Sequence, residues 1–384
     1  MKTKKKIIRA STIPLSLDIF CKGLLREMSE EYEVVALSSP GELLDKVERR
    51  EGVRAIRIPM ERHISLWKDT VALWQLIRVF RKEKPDIVHS ITPKAGLLCM
   101  IAAWVARVPV RIHTFTGLIF PYVTGLLQKV LMLTDAITCA CATHVIAEGK
   151  GVKLDLIGSH ITRKDVQVLG NGNIRGVKMD YYDRGARVMG TAEKIIKPDM
   201  VTFTFVGRIG KDKGIDELCE AFRLLAKEYD HIRLFIVGPN EDDVDPISER
   251  SRMIIDQNPR IEAVGMQRGT DLLAYYAASD CFVLPSYREG FPNTVLEAGA
   301  MSLPSIVTDI NGSREIIVEG ENGLIIPPKD TEALYHAMKR MINEPENRLR
   351  MAGNARQMIG DRFEQSYVWQ CLYDFYHETL KIEN

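Results

Sequence analysis

No apolar run in this chain reaches the ~18 residues that a membrane-spanning helix needs. The richest stretch, Ala95 to Ala106, is too short, and the one after Phe115 is interrupted by Lys129 and Asp135. The opening, MKTKKKIIRASTIPLSLDIF, is basic like a secretory leader, but Arg9 and Asp18 break any apolar centre and no small-residue cleavage site follows, so a first strand is expected over Lys6 to Ala10. Cysteine is sparse and unpatterned: seven residues, odd in number, with no C-x-x-C pair, which excludes a disulfide framework and a zinc site built on cysteine. Reduced thiols in a cytoplasmic protein are the expectation. Cys139 and Cys141 share one side of an apolar segment if that segment is a strand, and packing is their expected role. Zinc-finger spacing, RNP-like aromatic motifs and basic-zipper heptads are absent, so no nucleic acid partner is expected.

What is present is a globular composition. The 384 residues are 46 % hydrophobic and 27 % charged, which argues against collagen-like, disordered and polytopic membrane chains, and the length suggests two or three domains. The net charge of +1 conceals a division: residues 1–180 hold 28 Lys and Arg against 18 Asp and Glu, and the remainder 24 against 33. A basic N-terminal half fits either an anionic partner, such as the inner face of a membrane, or simply a solvated surface.

Short apolar runs alternate with helix-period segments, the pattern of parallel sheets covered by helices. Strands are expected over 5–10, 32–38, 53–58, 86–91, 110–115, 143–147 and 165–170. Helices are expected near 16–30, 67–83 and 93–107, the last opening at Thr92-Pro93. From Asn171 to Asp199 the rhythm fails and a linker is expected. A second alternating series follows: strands at 201–207, 232–238, 260–265, 281–286, 304–309 and 323–328, with helices at 214–229 and from Asn293. The expected fold is α/β: two doubly wound, Rossmann-like domains with an interdomain cleft. Residues 1–185 would form the first domain and 195–362 the second. The last helices, near 330–360 and 364–380, put Trp369, Leu372, Phe375 and Tyr376 at helical spacing, so that residues 363–384 would pack back onto the body.

Chemistry concentrates in two segments of the second half. In Ser279 to Glu297 a buried strand ends at Pro285-Ser286, a turn carries Glu289, and a helix opens near Asn293 with Glu297 in its early turns. A helix start at the carboxyl end of a strand is an anion site, and flanking carboxylates suit sugar hydroxyls, because each oxygen accepts several hydrogen bonds. In Phe205-Val-Gly-Arg-Ile-Gly-Lys-Asp-Lys-Gly214 a strand ends in Gly207, and a loop carrying Arg208 and Lys213 leads into a helix. Two cations there would stabilise charge on a departing diphosphate. The loop is neither G-x-G-x-x-G nor a Walker A, which removes support from dinucleotide binding and P-loop hydrolysis. Asp243-Val-Asp245 has the form of a metal-binding D-x-D but lies in a polar loop, and a solvated turn with no obligatory metal is expected.

FVGR (205–208) with Lys213-Gly214, FIVGPN (235–240), SD-x4-PS (279–286), the Glu289/Glu297 pair, EAGAMSLPSIVTD, NGSREII and ENGLIIPP together resemble the retaining glycosyltransferase family 4, the group 1 glycosyl transferases, with the two-domain GT-B fold. DIVHSITPKAGLL (86–98) and VRIHTFTGL (110–118) look like acceptor-side loops of the bacterial surface-polysaccharide members; the glycine-rich turn many of them have after the first strand is replaced here by Ser11 to Ser16.

The resemblance implies a hexosyl- or N-acetylhexosaminyl-transferase that moves a sugar from a UDP-linked donor to a lipid-linked or oligosaccharide acceptor with retention. It would lie in the cytoplasm, peripheral at the inner face of the membrane. Arg208 and Lys213, after Gly207, would bind the donor diphosphate, Glu289 with the backbone of Gly290, Phe291, Pro292 and Asn293 the sugar, and Glu297 the ribose. His113, at the end of a strand, would lie near the transferred sugar or serve as a satisfied core histidine. The alternatives are a sugar-nucleotide epimerase of the same fold and a non-catalytic partner subunit.

Overall fold

In a computed structural model, which describes residues 4–61, 65–242 and 244–382, the alternating apolar runs become two parallel sheets. One unit comprises the residues up to Gly176 together with those from Tyr367 onward, and the other runs from Val177 to Ser366. The sequence reading put its breaks at 185, 195 and 362.

The first unit carries β1 (Lys6–Ala10), β2 (Glu33–Ser38), β3 (Arg54–Arg57), β4 (Ile87–Ile91), β5 (Val110–Phe115), β6 (His144–Ala147) and β7 (Val166–Gln167), in the order β3-β2-β1-β4-β5-β6-β7. Helices cover both faces, which is why the central strands β1, β4 and β5 are buried along nearly their whole length and not at alternate residues. On one face lie α1 (Pro14–Phe20), α2 (Leu24–Glu31) and α3 (Glu42–Glu51). On the other lie α4 (Leu66–Glu83), α5 (Pro93–Val105), α6 (Gly125–Cys141) and α7 (Lys150–Gly158). The expected helix at 16–30 is thus two helices, broken at Gly23, which adopts φ +82°. Helix α5 does open at Thr92-Pro93. Cys139 and Cys141 sit in helix α6, not in a strand, so two-residue spacing turns them to different sides, one buried and one half-buried.

The second unit contains α8 (Ala186–Ala192), β8 (Val201–Val206), α9 (Ile215–Leu225), β9 (Ile232–Val237), α10 (Glu249–Gln257), β10 (Ile261–Gly265), α11 (Gly269–Ala277) and β11 (Cys281–Leu284). It continues with α12 (Asn293–Ala300), β12 (Ser305–Thr308), α13 (Ser313–Ile316), β13 (Gly323–Ile326), α14 (Thr331–Asn343) and α15 (Pro345–Phe363). Its strand order is β10-β9-β8-β11-β12-β13. The segment expected as a linker is largely built into this unit: Val177, Tyr182, Val188 and Ala192 are buried in its core. The expected helix at 330–360 divides at Pro345, which lacks the N–H needed to continue α14. The final helix, α16 (Gln365–Ile382), lays Trp369, Leu372, Phe375 and Tyr376 against α1, α2 and β1 of the first unit, as the aromatic spacing anticipated.

Candidate active site

In the second sheet β8 lies between β9 and β11, and the chain fills the sheet outward in both directions from it. Such a reversal leaves a crevice at the carboxyl ends of the two central strands. The two segments singled out in the sequence are the loops that leave β8 and β11 there.

Four contacts join these loops. The backbone N–H of Tyr287 donates to the Asp212 carbonyl at 2.8 Å, and Arg288 pairs with the Asp212 carboxylate at 3.1 Å. Lys213 Nζ meets Glu289 Oε1 at 2.6 Å, both side chains being about one-seventh exposed. Gly214, at φ +71°, presses on Pro285 so closely that a Cβ would come within 2.1 Å of that carbonyl oxygen. The conformation and the contact both require glycine. Arg208 turns the other way, pairing with Glu241 and, at 3.5 Å, with Asp212. Asp212 is partly buried, which would raise its pKa, but Lys213, Arg208 and Arg288 outweigh burial and hold its carboxyl below the usual range.

Asp245 braces the same loop: its carboxylate accepts from the Asp212 N–H at 2.7 Å and its carbonyl from Lys211 N–H at 3.2 Å. The turn read as simply solvated therefore has a positioning role, through Asp245; Asp243 lies outside the described residues.

After β11, Glu289 precedes a backbone stretch, Gly290 to Asn293, that opens α12. The Phe291 side chain is buried against Phe363, ring centroids 5.5 Å apart, and Pro292 carries no N–H, so Gly290, Phe291 and Pro292 can offer a ligand only backbone atoms, while the half-buried Asn293 also has its side-chain amide. Gly312, at φ +73°, lies against it: a Cβ there would stand 2.4 Å from the Gly290 carbonyl oxygen. Glu297 is buried in α12, where Oε1 accepts from the Tyr182 hydroxyl at 2.8 Å and Oε2 from that of Tyr276 at 3.3 Å. The two phenols, one on each oxygen, fix the orientation of the carboxylate.

Lys213 and Glu289 are thus in direct contact, with Arg208 connected to them through Asp212. Sequence reasoning missed Asp212, Glu241, Arg288, Tyr182 and Tyr276, whose roles depend on partners 4 to 115 residues away. Gly312 and Asp245 did lie in segments noted for other reasons.

His113 belongs to the first unit. It lies inside β5, which continues to Phe115 and does not end at His113 as expected, and is a buried side chain with its Nδ1 2.9 Å from Ser90 Oγ and its ring edge-on to Phe115. The ring covers Gly96 at the start of α5, where a Cβ would lie 2.4 Å from Cε1. Burial pushes its pKa down to about 3, against the opposing effect of the Ser90 hydrogen bond, so the imidazole is neutral near pH 7.

Comparison with known proteins points to one family. The model of glycosyl transferases group 1 matches residues 192–358, and that of a glycosyl transferase 4-like domain matches 20–172. The chain is 31 % identical over 378 residues to the capsular polysaccharide biosynthesis glycosyltransferase CapM of Staphylococcus aureus, covering 98 % of each chain. It is 27 % identical to the Escherichia coli UDP-Gal:alpha-D-GlcNAc-diphosphoundecaprenol alpha-1,3-galactosyltransferase, covering 94 % of each. Its fold matches Anabaena HepE, solved with UDP and glucose, at a TM-score of 0.80 and 15 % identity over 97 % of this chain and all of that one. These matches favour neither the epimerase nor the partner-subunit alternative. Two Rossmann-like sheets, a cation- and carboxylate-bearing crevice at the switch point of the second, and family matches over both halves identify the chain as a member of the group 1 glycosyl transferases, a glycosyltransferase of the GT-B fold.

Proposed function

We propose that this enzyme moves a hexosyl or N-acetylhexosaminyl group, with retention, from a UDP-linked donor to a growing surface glycan carried on a lipid diphosphate. The observation that carries the reading is the 2.6 Å Lys213–Glu289 pair in the switch-point crevice, a cation for a diphosphate beside a carboxylate for sugar hydroxyls. Arg208 and Lys213 would neutralise the leaving diphosphate, exchanging their carboxylate partners for phosphate oxygens of greater charge. Glu289 and the Gly290–Asn293 backbone would hold the transferred sugar, and Glu297, oriented by Tyr182 and Tyr276, the ribose. His113 would contribute a neutral hydrogen-bonding imidazole whose ring is fixed by Ser90. Because the loop cations supply leaving-group charge, the reading needs no obligatory metal. Retention without a protein nucleophile would follow a front-face path, in which the departing phosphate oxygen takes the acceptor hydroxyl's proton as the new bond forms.

The names of the two relatives, one in capsule synthesis and one acting on a diphosphoundecaprenol-linked sugar, support the choice of acceptor. The experiment is to incubate the protein with a panel of nucleotide sugars and membrane lipid extract, and to look for free UDP together with a glycan one sugar longer. Donor consumed without a longer glycan would refute transfer to a lipid-linked acceptor.

A further inference from the structure

The apolar side chains left on the surface are unevenly placed. Among the described residues, 13 of the 22 large hydrophobics that stand exposed fall between Leu66 and Ile157, on or beside the α4–α5–α6–α7 layer of the first unit. The others lie scattered, which is ordinary for a folded protein. On α4 the exposed residues Trp67, Val71 and Trp74 recur at helical spacing and so form one outward stripe, with Leu66 beside its start. Leu66 is 83 %, Trp67 79 % and Trp74 57 % exposed. Helix α6 presents Leu126, 78 % exposed, with Leu127 and Leu133, and α5 between them ends in Trp104 and Val105.

The charges on this layer have one sign. Of the ionisable residues in α4, α5 and α6, those that stand exposed are Lys68, Arg78, Arg81, Lys82 and Lys129. The acidic ones are all withdrawn: Asp69 pairs with Lys94 at 2.7 Å and Glu83 with Arg54 and Lys6, while burial pushes the Asp135 carboxyl up to about 7. Arg78 lies over the Trp74 ring at 4.6 Å, placing cation and aromatic together. The basic residues that open the chain are, by contrast, largely engaged: Lys5 pairs with Asp86, Lys6 with Glu33 and Glu83, and Lys4 donates to two carbonyls of α2.

We propose that the outer face of the α4–α5–α6 layer docks in the interfacial region of an anionic bilayer, with Trp67, Trp74, Leu66 and Leu126 entering the headgroup–acyl boundary and Arg78, Arg81, Lys82 and Lys129 meeting lipid phosphates. Tryptophan and leucine among lysine and arginine, with every carboxylate withdrawn, is the chemistry of a surface that lies on a membrane without crossing it. No helix among the described residues is long and apolar enough to cross one. The cationic rim selects a lipid leaflet of negative charge over a second copy of the same face, which would set like charges against each other. The inference deepens the lipid-linked acceptor reading and rests on it for its purpose, though not for its geometry.

The test uses the full chain with vesicles of phosphatidylcholine alone or mixed with phosphatidylglycerol. Three of the four tryptophans, Trp67, Trp74 and Trp104, lie exposed on this layer, while Trp369 is buried on the other face of the sheet. Anionic vesicles should shift tryptophan emission to the blue, and lipids brominated on the acyl chain should quench it. Co-sedimentation should be reduced by high salt but not abolished, since the apolar share is unscreened. The Trp67→Ser/Trp74→Ser variant should lose about tenfold or more in partitioning, with circular dichroism and UDP binding unchanged. Absence of acyl-chain quenching with anionic vesicles at low salt would overturn the proposal. So would lipid-free self-association that the double variant abolishes, because the face would then be a protein interface. UDP binding measured on the same samples separates this outcome from failure of the donor-site reading.

Discussion

Replacing Glu289 by Gln tests the division of labour in the crevice, because the structure sets the direction of two separate effects. Lys213 Nζ lies 2.6 Å from Glu289 Oε1; at an effective dielectric of about 20 the gross attraction of such a pair is ~6 kcal/mol. Desolvation of the two half-buried groups offsets much of it, and the amide oxygen of Gln keeps a hydrogen bond worth ~1 kcal/mol. The net release of Lys213 towards a competing diphosphate is then on the order of 1 kcal/mol, so UDP should bind as tightly as to the wild type or up to about tenfold tighter. Turnover should move the opposite way, falling by about 10²- to 10³-fold as expected for loss of one preorganised polar contact to the reacting sugar. Glu297→Gln should do the reverse. It keeps the shape between Tyr182 and Tyr276 but removes the charge, weakening UDP several-fold while the rate at saturating donor changes less. Titration calorimetry with UDP and initial rates of UDP release measure the two quantities. Equal loss of UDP affinity in both variants would refute the assignment of one carboxylate to the sugar and the other to the nucleotide.

Three further outcomes are expected. Arg208→Ala and Lys213→Ala should each lower the transfer rate by about 10²- to 10³-fold with little change in melting temperature, and EDTA should leave the wild type active; metal-restored activity after EDTA would return attention to the loop that holds Asp245. Gly312→Ala should cost about 1–3 kcal/mol of stability, from a positive φ and from overlap with the Gly290 carbonyl, and should lower turnover by displacing the donor-side backbone; wild-type melting and rate would refute the contact. The buried His113 has its pKa lowered to about 3, so the unfolded chain binds the extra proton first and stability must fall as pH drops from about 6.5 towards 3. The slope from this residue is at most ~1.4 kcal/mol per pH unit. His113→Asn should flatten the stability profile between pH 6.5 and 5 relative to the wild type, and parallel profiles would count against a neutral buried imidazole.

The parallel-sheet architecture was legible because its signals are local. CFVL, the start of the run CFVLPS, is apolar throughout, as a strand covered on both faces can be, and became β11, while VRIHTF, β5, carries Arg111, His113 and Thr114 yet is buried along nearly its whole length. Helices α3, α6, α10 and α11 were harder to read: α3 buries Leu44, Val47 and Glu51 at helical spacing but has few apolar residues among its charges, and α6 is apolar on several sides and shows no clean amphipathic period. Val177 and Tyr182 looked like linker because isolated apolar residues among glycines and charges have no period, yet each fills a place in a core made by distant segments.

The sequence by itself determined which residue types stand at the ends of β8 and β11, because strand, turn and helix start are written in consecutive residues whose backbone preferences are short-ranged. It also determined the two-sheet fold, through the order of strands and helices. Only the tertiary structure decided which charges meet. Lys213 lies 76 residues from Glu289, Arg208 is 33 from Glu241, and Tyr182 is 115 from Glu297; ion pairs and hydrogen bonds act over a few ångströms and have no period along the chain. The membrane-facing surface shows the same limit. A count of charges marked the N-terminal half as basic but not which of its cations stay free: the fold commits Lys5 and Lys6 to carboxylates and sets Trp67, Trp74 and Leu126 in the open, because exposure is a property of what packs against a helix and not of the helix sequence.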